Sequence, residues 1–276
     1  PSARFDISKF EKGVRLLESK GFSVKTPDLV FNRNRYLAGQ DEDRAKVILE
    51  LFSDSEIDAI VCARGGYGAM RILPFMDWGL IGQNAKPFVG FSDATALMQS
   101  MIDRTGNPVI HGPTVSSLST ADPSTLESLS ALLTKKDCSG ALSVSLALLE
   151  PAADQPLSGI FKGGNLSTLS HLIGTRYAPD FKNAVLFLED INEPAYKIDR
   201  MLTQMLHAGL LEHVTAVITG AFTGSDFPDY IDEIFFEIFS KLNIPVFSGL
   251  CCGHDSVNLS FPMGVPVSID PVSLKV

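Results

Sequence analysis

Ser92, Glu189 and His254 are the residues of this chain whose types and surroundings could together carry out nucleophilic catalysis. Ser92 lies in the segment 86–100, KPFVGFSDATALMQS, which predicts a buried strand, a tight turn and a helix, the geometry that exposes a nucleophilic hydroxyl. Glu189 follows the apolar run 184–188, where a buried carboxylate needs a partner. His254 lies in a loop beside glycine. The order Ser, Glu, His is one that triad hydrolases use, so the sequence predicts a serine hydrolase.

Each of these residues also has a structural alternative. Ser92 could cap the helix that follows it, since serine is a favoured capping residue, and the last position of a full Gly-x-Ser-x-Gly motif is Ala94. His254 could be a turn histidine bonded to its neighbour Asp255. His111, at the end of another strand, is a second candidate base.

The expected roles follow from the chemistry of acyl transfer. His254 takes the proton of Ser92, Glu189 orients the imidazole, and the backbone amides of Asp93 and Gly66 stabilise the oxyanion. The run RGGYG, residues 64–68, could instead cradle phosphate, but it lacks the third glycine of a dinucleotide motif and the Lys-Ser/Thr of a P-loop.

Three polar residues at glycine-rich turns are candidates for holding the substrate. They are Arg64, Lys162 and Asn165, and we expect them near the terminal carboxylate of a peptide.

The elements that position these residues alternate between apolar runs and amphipathic segments. In the first half, strands are expected at 22–24, 57–63, 87–91 and 109–111, and helices at 10–20, 41–53, 69–73 and 94–105. Nearly all-apolar strands that alternate with helices are typical of a parallel sheet, whose ligands bind at the carboxyl ends of the strands.

The second half predicts another α/β domain. We expect a turn into a helix at 159–174, strands at 185–188, 216–219 and 246–248, and helices from residue 194 and over 230–242. Residues 135–158 lack clear helical periodicity, and residues 137–158 are interpreted as a linker with some extended structure. The predicted domains are therefore 1–136, carrying the nucleophile, and 159–276, carrying the acid and the base.

Composition narrows the class of protein. The chain has 276 residues, 45% of them hydrophobic, with a net charge of -9, which argues against nucleic acid or an anionic membrane as partner. The four cysteines have no CxxC spacing, so we expect neither a metal site nor disulfides, and a cytoplasmic location. The chain opens with Pro1 and Ser2 rather than methionine, so a preceding segment could have been removed.

Several long motifs occur in the order in which they occur in one known family, the LD-carboxypeptidases (peptidase family S66). From residue 5 to residue 264 the chain closely resembles this family. The motifs are VCARGGYGAMRILP, PFVGFSDATAL and HGP in the first half, and KGGNLSTLSHLIGT, LFLEDINEPAYKIDRMLTQM and GHDSVNLSFPMG in the second.

The resemblance implies a serine peptidase that removes terminal D-alanine from murein tetrapeptide, cleaving the bond from the L-centre of diaminopimelate during cytoplasmic peptidoglycan recycling. It implies an N-terminal domain like that of class I glutamine amidotransferases and a smaller, swivelling β/β/α C-terminal domain. It also implies a homodimer without metal or organic cofactor. The family's nucleophile, acid and base fall on Ser92, Glu189 and His254.

Two alternatives and one departure remain at this stage. A branch that cleaves microcin C7 shares the triad, although LEDINEP is more similar to the murein-recycling branch. The chain could also be a small-ligand-binding protein with an inactive triad. The family normally begins with a short apolar strand ahead of the Pro-Ser that opens this chain, and its loss would remove a central partner from the sheet.

Overall fold

The described chain forms two compact units. The structure is a computed structural model that describes residues 1–134, 146–150 and 155–270. One unit comprises Pro1–Cys138 and Ser256–Pro262, and the other Ser139–Asp255 and Met263–Val276. The predicted linker 137–158 lies in part outside the described residues, and the predicted domain limits stay a prediction.

The first unit contains a sheet with helices before and between its strands. Its helices are α1 (Ile7–Ser19), α2 (Asp41–Ser53), α3 (Ala69–Ile72), α4 (Trp78–Gln83), α5 (Thr95–Thr105) and α6 (Pro123–Thr134). Its strands are β1 (Ile60–Val61), β2 (Phe88–Gly90) and β3 (Val109–His111). These pair in parallel in the order β1-β2-β3, and β9 (Phe261–Met263) lies next to β3.

Burial explains the strands of this sheet. All residues of β2 and β3 are buried, as expected for a parallel sheet covered on both faces. The strand predicted at 57–63 is shorter than expected, because only Ile60 and Val61 pair with β2. The strand predicted at 22–24 was wrong: these residues form no strand, since they pair with no neighbouring strand.

The second unit is built on a six-stranded sheet. Its strands are β4 (Ala147–Glu150), β5 (Leu157–Asn165), β6 (Ala184–Ile191), β7 (Ala216–Thr223), β8 (Val246–Ser248) and β10 (Pro266–Ile269). The order is β10-β5-β6-β7-β8-β4, in which β5 to β8 run parallel and both edge strands are antiparallel. The helices are α7 (Leu166–Ser170), α8 (Ala195–His207) and α9 (Asp229–Ser240).

Strand β5 occupies a stretch where the sequence predicted only a turn. The glycines in β5 interrupt the alternation of side chains that would predict a strand. One of these glycines, Gly163, is required for steric reasons. Gly163 has a φ of 128°, and a Cβ there would lie 1.9 Å from the carbonyl oxygen of Phe187 on β6. Only glycine fits this approach between the two strands.

The α/β architecture with parallel sheets, predicted from the sequence, is confirmed. Within the ranges that the structure describes, no helix combines the length and apolar character that a membrane span requires.

Candidate active site

Ser92 lies at a strained turn between β2 and α5. Its φ is 60°, a left-handed conformation that costs a non-glycine residue free energy and is typical of functional turns. A Cβ at Gly90 would lie 2.9 Å from Cβ of Ala94, so small residues on both sides of Ser92 let the strand and the following turn approach closely. This is the strand-turn-helix geometry of a nucleophile elbow.

Ser92 does not occupy a helix cap. The 3-10 turn Ser92–Ala94 precedes α5, whose N-cap residue is Ala94, and no side-chain hydrogen bond caps either element. The capping alternative for Ser92 is therefore not what the structure contains.

The glycine-rich turn 64–68 lies against this elbow. A Cβ at Gly65 would come within 2.9 Å of Ser92 Cβ and 3.1 Å of Ser92 Oγ, so the backbone of the turn packs directly on the serine. Gly66 has a φ of 105°, which a side chain would strain. The carboxylate of Asp93, which is buried, accepts a hydrogen bond from the backbone amide of Ala69 at 2.8 Å. A buried carboxylate at this turn disfavours the phosphate-binding alternative.

Glu189 and His254 form a hydrogen-bonded pair in the second unit. Nδ1 of His254 and Oε2 of Glu189 are 2.7 Å apart, and the Glu189 side chain is fully buried near the end of β6. Because a carboxylate accepts, Nδ1 carries the proton, and in the neutral imidazole the lone pair is on Nε2. This arrangement fits a histidine that acts as a general base through Nε2.

The electrostatics of the pair favour the protonated imidazole. Burial lowers the pKa of His254, but the hydrogen bond that Nδ1 donates to Glu189, together with the charge of that carboxylate, outweighs burial. The pKa of His254 is therefore raised above 6.5. A base with this partner stabilises the imidazolium that forms when it accepts a proton.

The loop that carries His254 is anchored on β7. The carbonyl oxygen of Cys252 accepts a hydrogen bond from the amide of Ala221 at 2.9 Å. The carboxylate of Asp255 accepts the hydroxyl of Thr223 at 2.7 Å. His254 is therefore hydrogen-bonded to Glu189, and Asp255 serves to hold the loop, rather than pairing with the histidine as the alternative interpretation required.

Asn165 takes part in a buried polar cluster at the end of β5. Its amide donates to Oδ1 of Asp190 at 2.9 Å, and its oxygen accepts from the backbone amide of Thr168 at 3.0 Å at the start of α7. Oδ2 of Asp190 accepts the amide of Ser167 at 2.8 Å. These contacts favour a structural role for Asn165, which joins β5, β6 and α7.

Asp190 is the residue of this region whose role the sequence did not reveal. Burial and then the charge of Glu189 raise the pKa of Asp190 to about 6, against the hydrogen bonds that it accepts. The signal in the sequence was two adjacent carboxylates directly after an apolar strand, but three acidic residues near one helix start are also typical of capping.

Lys162 and Arg64, the other two substrate-binding candidates, each donate a hydrogen bond to a backbone carbonyl. Lys162 donates to the carbonyl of Asp180 at 2.8 Å, ahead of β6, at the opposite end of that strand from Glu189. Arg64 is exposed and donates to the carbonyl of Arg4. Arg64 directly precedes Gly65, which packs on Ser92 within the same unit.

His111, Cys62 and Cys252 are buried in structural surroundings. His111 is 1% exposed, stacks on Phe261 at 4.8 Å and contacts Oδ1 of Asn258 at 3.2 Å. Burial raises the pKa of the Cys62 thiol to about 11 and also raises the pKa of Cys252. Neither thiol is suited to act as a nucleophile.

Family models match most of the chain. Residues 1–112 match the LD-carboxypeptidase N-terminal domain, and residues 158–269 match the LD-carboxypeptidase C-terminal domain. The chain belongs to the LD-carboxypeptidase family. Membership of this family makes it a carboxypeptidase of the serine class.

Relatives of this LD-carboxypeptidase extend along nearly its whole length. The murein tetrapeptide carboxypeptidase of Pseudomonas aeruginosa is 31% identical over 276 residues, covering 96% of this chain and 89% of its own. The structure of muramoyltetrapeptide carboxypeptidase from Oxalobacter formigenes matches with a TM-score of 0.88 at 28% identity, over 100% of this chain and 94% of that one.

A second branch of relatives is also similar. The structure of the microcin C7 self-immunity protein MccF in complex with aspartyl sulfamoyl adenosine matches with a TM-score of 0.88 at 25% identity, covering 99% of this chain and 92% of that one. The family and the two-domain α/β fold expected from the resemblance are confirmed.

Proposed function

We propose that this LD-carboxypeptidase releases terminal D-alanine from murein tetrapeptide, with Ser92 as nucleophile, His254 as base and Glu189 as the acid that orients the base. The observation that carries the proposal is the 2.7 Å hydrogen bond between His254 and the fully buried Glu189. The strained Ser92 supports it, because its φ of 60° is the backbone conformation of an elbow nucleophile.

The proposed reaction has two half-reactions. Ser92 Oγ attacks the carbonyl carbon that precedes D-alanine while its proton passes to Nε2 of His254, and the backbone amides of Asp93 and Gly66 stabilise the oxyanion. Collapse breaks the peptide bond, His254 returns the proton to the amine of D-alanine, and an ester on Ser92 remains. Water then attacks the ester while His254 takes its proton, and His254 returns that proton to Ser92 Oγ as the ester bond breaks and the tripeptide carboxylate leaves.

Substrate selection is part of the same proposal. A carboxypeptidase must recognise a free terminal carboxylate, and a guanidinium can bind this group with two parallel hydrogen bonds. Arg64 is the candidate we favour for this contact, ahead of Lys162 and Asn165, whose described hydrogen bonds are structural. Because Ser92 and the Glu189–His254 pair belong to different units, the mechanism requires the two units to bring them together.

The setting of the reaction follows from its substrate. A peptide released during cell-wall turnover and trimmed inside the cell would meet the enzyme in the cytoplasm, and we propose that the enzyme acts there as a homodimer. Sedimentation velocity of the purified chain tests the dimer, since a single monomeric species would contradict it.

The decisive experiment measures D-alanine release from murein tetrapeptide containing diaminopimelate. Two matched substrates serve as controls: the same peptide ending in L-alanine, and one whose terminal carboxylate is amidated. We expect rapid release from the first peptide alone, and loss of that release in Ser92→Ala. Aspartyl sulfamoyl adenosine is the comparison substrate from the other branch. If the enzyme cleaved it and left the tetrapeptide intact, the proposed substrate would be wrong.

A further inference from the structure

One peptide bond of the glycine-rich turn is held by two buried charged groups of opposite sign. The amide of the Gly68–Ala69 peptide donates to Oδ2 of Asp93 at 2.8 Å. The carbonyl oxygen of the same peptide accepts from Nη1 of Arg44 at 2.9 Å. Asp93 is 7% exposed and Arg44 is 5% exposed, so little water competes for either bond.

The conformation of Gly68 explains why this peptide can be held so closely. Gly68 has a φ of 134°, and a Cβ there would lie 2.8 Å from Nη1 of Arg44. The φ of Gly68 favours glycine, and a side chain at this position would crowd the guanidinium.

The guanidinium of Arg44 is held by an ion-pair network in which Asp41 lies between Arg44 and Arg71. Nη2 of Arg44 forms an ion pair with Asp41, and Asp41 also accepts Nε and Nη2 of Arg71, the latter at 2.6 Å. The hydrogen bond from Arg71 is the largest of the effects that lower the pKa of Asp41, which keeps this carboxylate charged. Arg44 also donates to the carbonyl of Pro1. The guanidinium is thus held in one orientation relative to the turn.

The Gly68–Ala69 peptide lies close to Ser92 and to the proposed oxyanion donor, Gly66. Asp93 directly follows Ser92 in the chain, so its side chain ties the elbow to the turn. Gly65 packs on Ser92, with virtual Cβ contacts of 2.9 and 3.1 Å, and Gly66 carries a proposed oxyanion donor. A shift of this turn would move that donor relative to the nucleophile, and small misplacements at a reacting centre lower rates by up to about 100-fold.

We propose that the carboxylate of Asp93 and the guanidinium of Arg44 are positioning groups, which hold the Gly65–Gly68 turn in register with Ser92 for oxyanion stabilisation. This inference rests on the proposed role of Ser92. It assigns a function to the side chain of Asp93 beyond that of its backbone amide, and a function in catalysis to the Asp41–Arg44 pair.

The test uses the rate constant for labelling by a fluorophosphonate, which needs the nucleophile and the oxyanion donors but no murein substrate. We expect Asp93→Ala to label about 10- to 100-fold more slowly than the wild type. Asp93→Asn keeps an acceptor oxygen without the charge, and we expect it to label about 3- to 10-fold more slowly.

The matched control is Asp77→Ala. Asp77 accepts the amide of Leu80 at 2.9 Å at the start of α4, a carboxylate–backbone bond like that of Asp93 but exposed to solvent. We expect this variant to lose some thermal stability, less than Asp93→Ala, because the Asp77 bond is exposed. Its labelling rate should stay within about 2-fold of the wild type, because Asp77 does not contact the Gly65–Gly68 turn.

Three outcomes decide the inference. Labelling of Asp93→Ala within 2-fold of the wild type would overturn the inference. A loss of labelling in Asp77→Ala as large as that in Asp93→Ala would overturn it as well. If Asp93→Ala does not fold, Asp93→Asn becomes the test, and a labelling rate constant unchanged from the wild type in that variant would overturn the inference. Labelling that persists in Ser92→Ala would instead contradict the proposed nucleophile, and D-alanine release, measured separately, reports on the proposed substrate.

Discussion

Replacing Glu189 by glutamine tests the Glu189–His254 pair with almost no change in shape. Unit charges 2.7 Å apart attract by about 6 kcal/mol at an effective dielectric constant of about 20. The glutamine amide oxygen can still accept a hydrogen bond from Nδ1, and polarisable surroundings compensate part of the lost charge. We therefore expect the substitution to remove about 3 kcal/mol of transition-state stabilisation. This corresponds to a decrease of about 100-fold in kcat.

The pH profile gives an independent reading of the same substitution. Because the pKa of His254 is raised above 6.5, the wild-type enzyme should lose kcat/KM as the pH falls through that raised value and the base becomes protonated. Without the Glu189 carboxylate, only the charges of Asp190 and Asp255 still oppose burial, which lowers the pKa of His254. We therefore expect the acid limb of Glu189→Gln to move to lower pH.

The assay is D-alanine release from the tetrapeptide between pH 5 and 9, with Glu237→Gln as the control. Glu237 is an exposed carboxylate on α9 that pairs with Lys241 at 2.9 Å, and its loss should leave the profile unchanged. A Glu189→Gln enzyme with wild-type kcat and an unshifted acid limb would refute the role given to the pair.

Three further predictions follow from single residues. Ser92→Gly should abolish D-alanine release yet raise the unfolding free energy by about 1 kcal/mol, because glycine relieves the strain at a φ of 60°. Urea denaturation measures the unfolding free energy, and a variant less stable than the wild type would contradict the prediction. The wild-type protein should lose about 3 kcal/mol of unfolding free energy between pH 4 and pH 7 that Asp190→Asn keeps, because the folded pKa of Asp190, about 6, lies above the unfolded value of 3.8. Stability is lost as the pH rises through the folded pKa. Urea denaturation at both pH values measures this, and an equal difference in unfolding free energy between the two proteins at pH 4 and pH 7 would contradict a buried, ionising Asp190. Iodoacetamide should modify the exposed Cys251 in the folded protein and leave the buried Cys62 and Cys252 unmodified. Peptide mapping by mass spectrometry shows which cysteines are alkylated, and rapid alkylation of Cys252 would contradict its burial.

The sequence predicted those elements whose pattern depends on local burial. Helix α2 at Asp41–Ser53 and strand β3 at Val109–His111 have the predicted limits, because their apolar positions follow one helix face or one continuous run. The same argument identified the strand ahead of Glu189, although β6 continues to Ile191, since pairing with β7 extends it past the apolar run.

The elements and contacts that the sequence did not reveal depend on tertiary neighbours. Strand β5 contains glycines for a close approach to β6, which a pattern of side chains cannot show. Asn165 looked like a substrate ligand because it follows a glycine-rich stretch, whereas its partner Asp190 is 25 residues further along the chain. The link between Asp93 and Ala69 likewise joins residues 24 apart, and only the fold brings them together.

Mass spectrometry of an enzyme quenched during turnover of murein tetrapeptide tests the central claim most directly. We predict that the peptide containing Ser92 gains the mass of the acyl fragment that remains after loss of D-alanine, and that Ser92→Ala neither forms this adduct nor releases D-alanine. Release of D-alanine at the wild-type rate by Ser92→Ala, with no acyl adduct on the wild-type protein, would contradict the account.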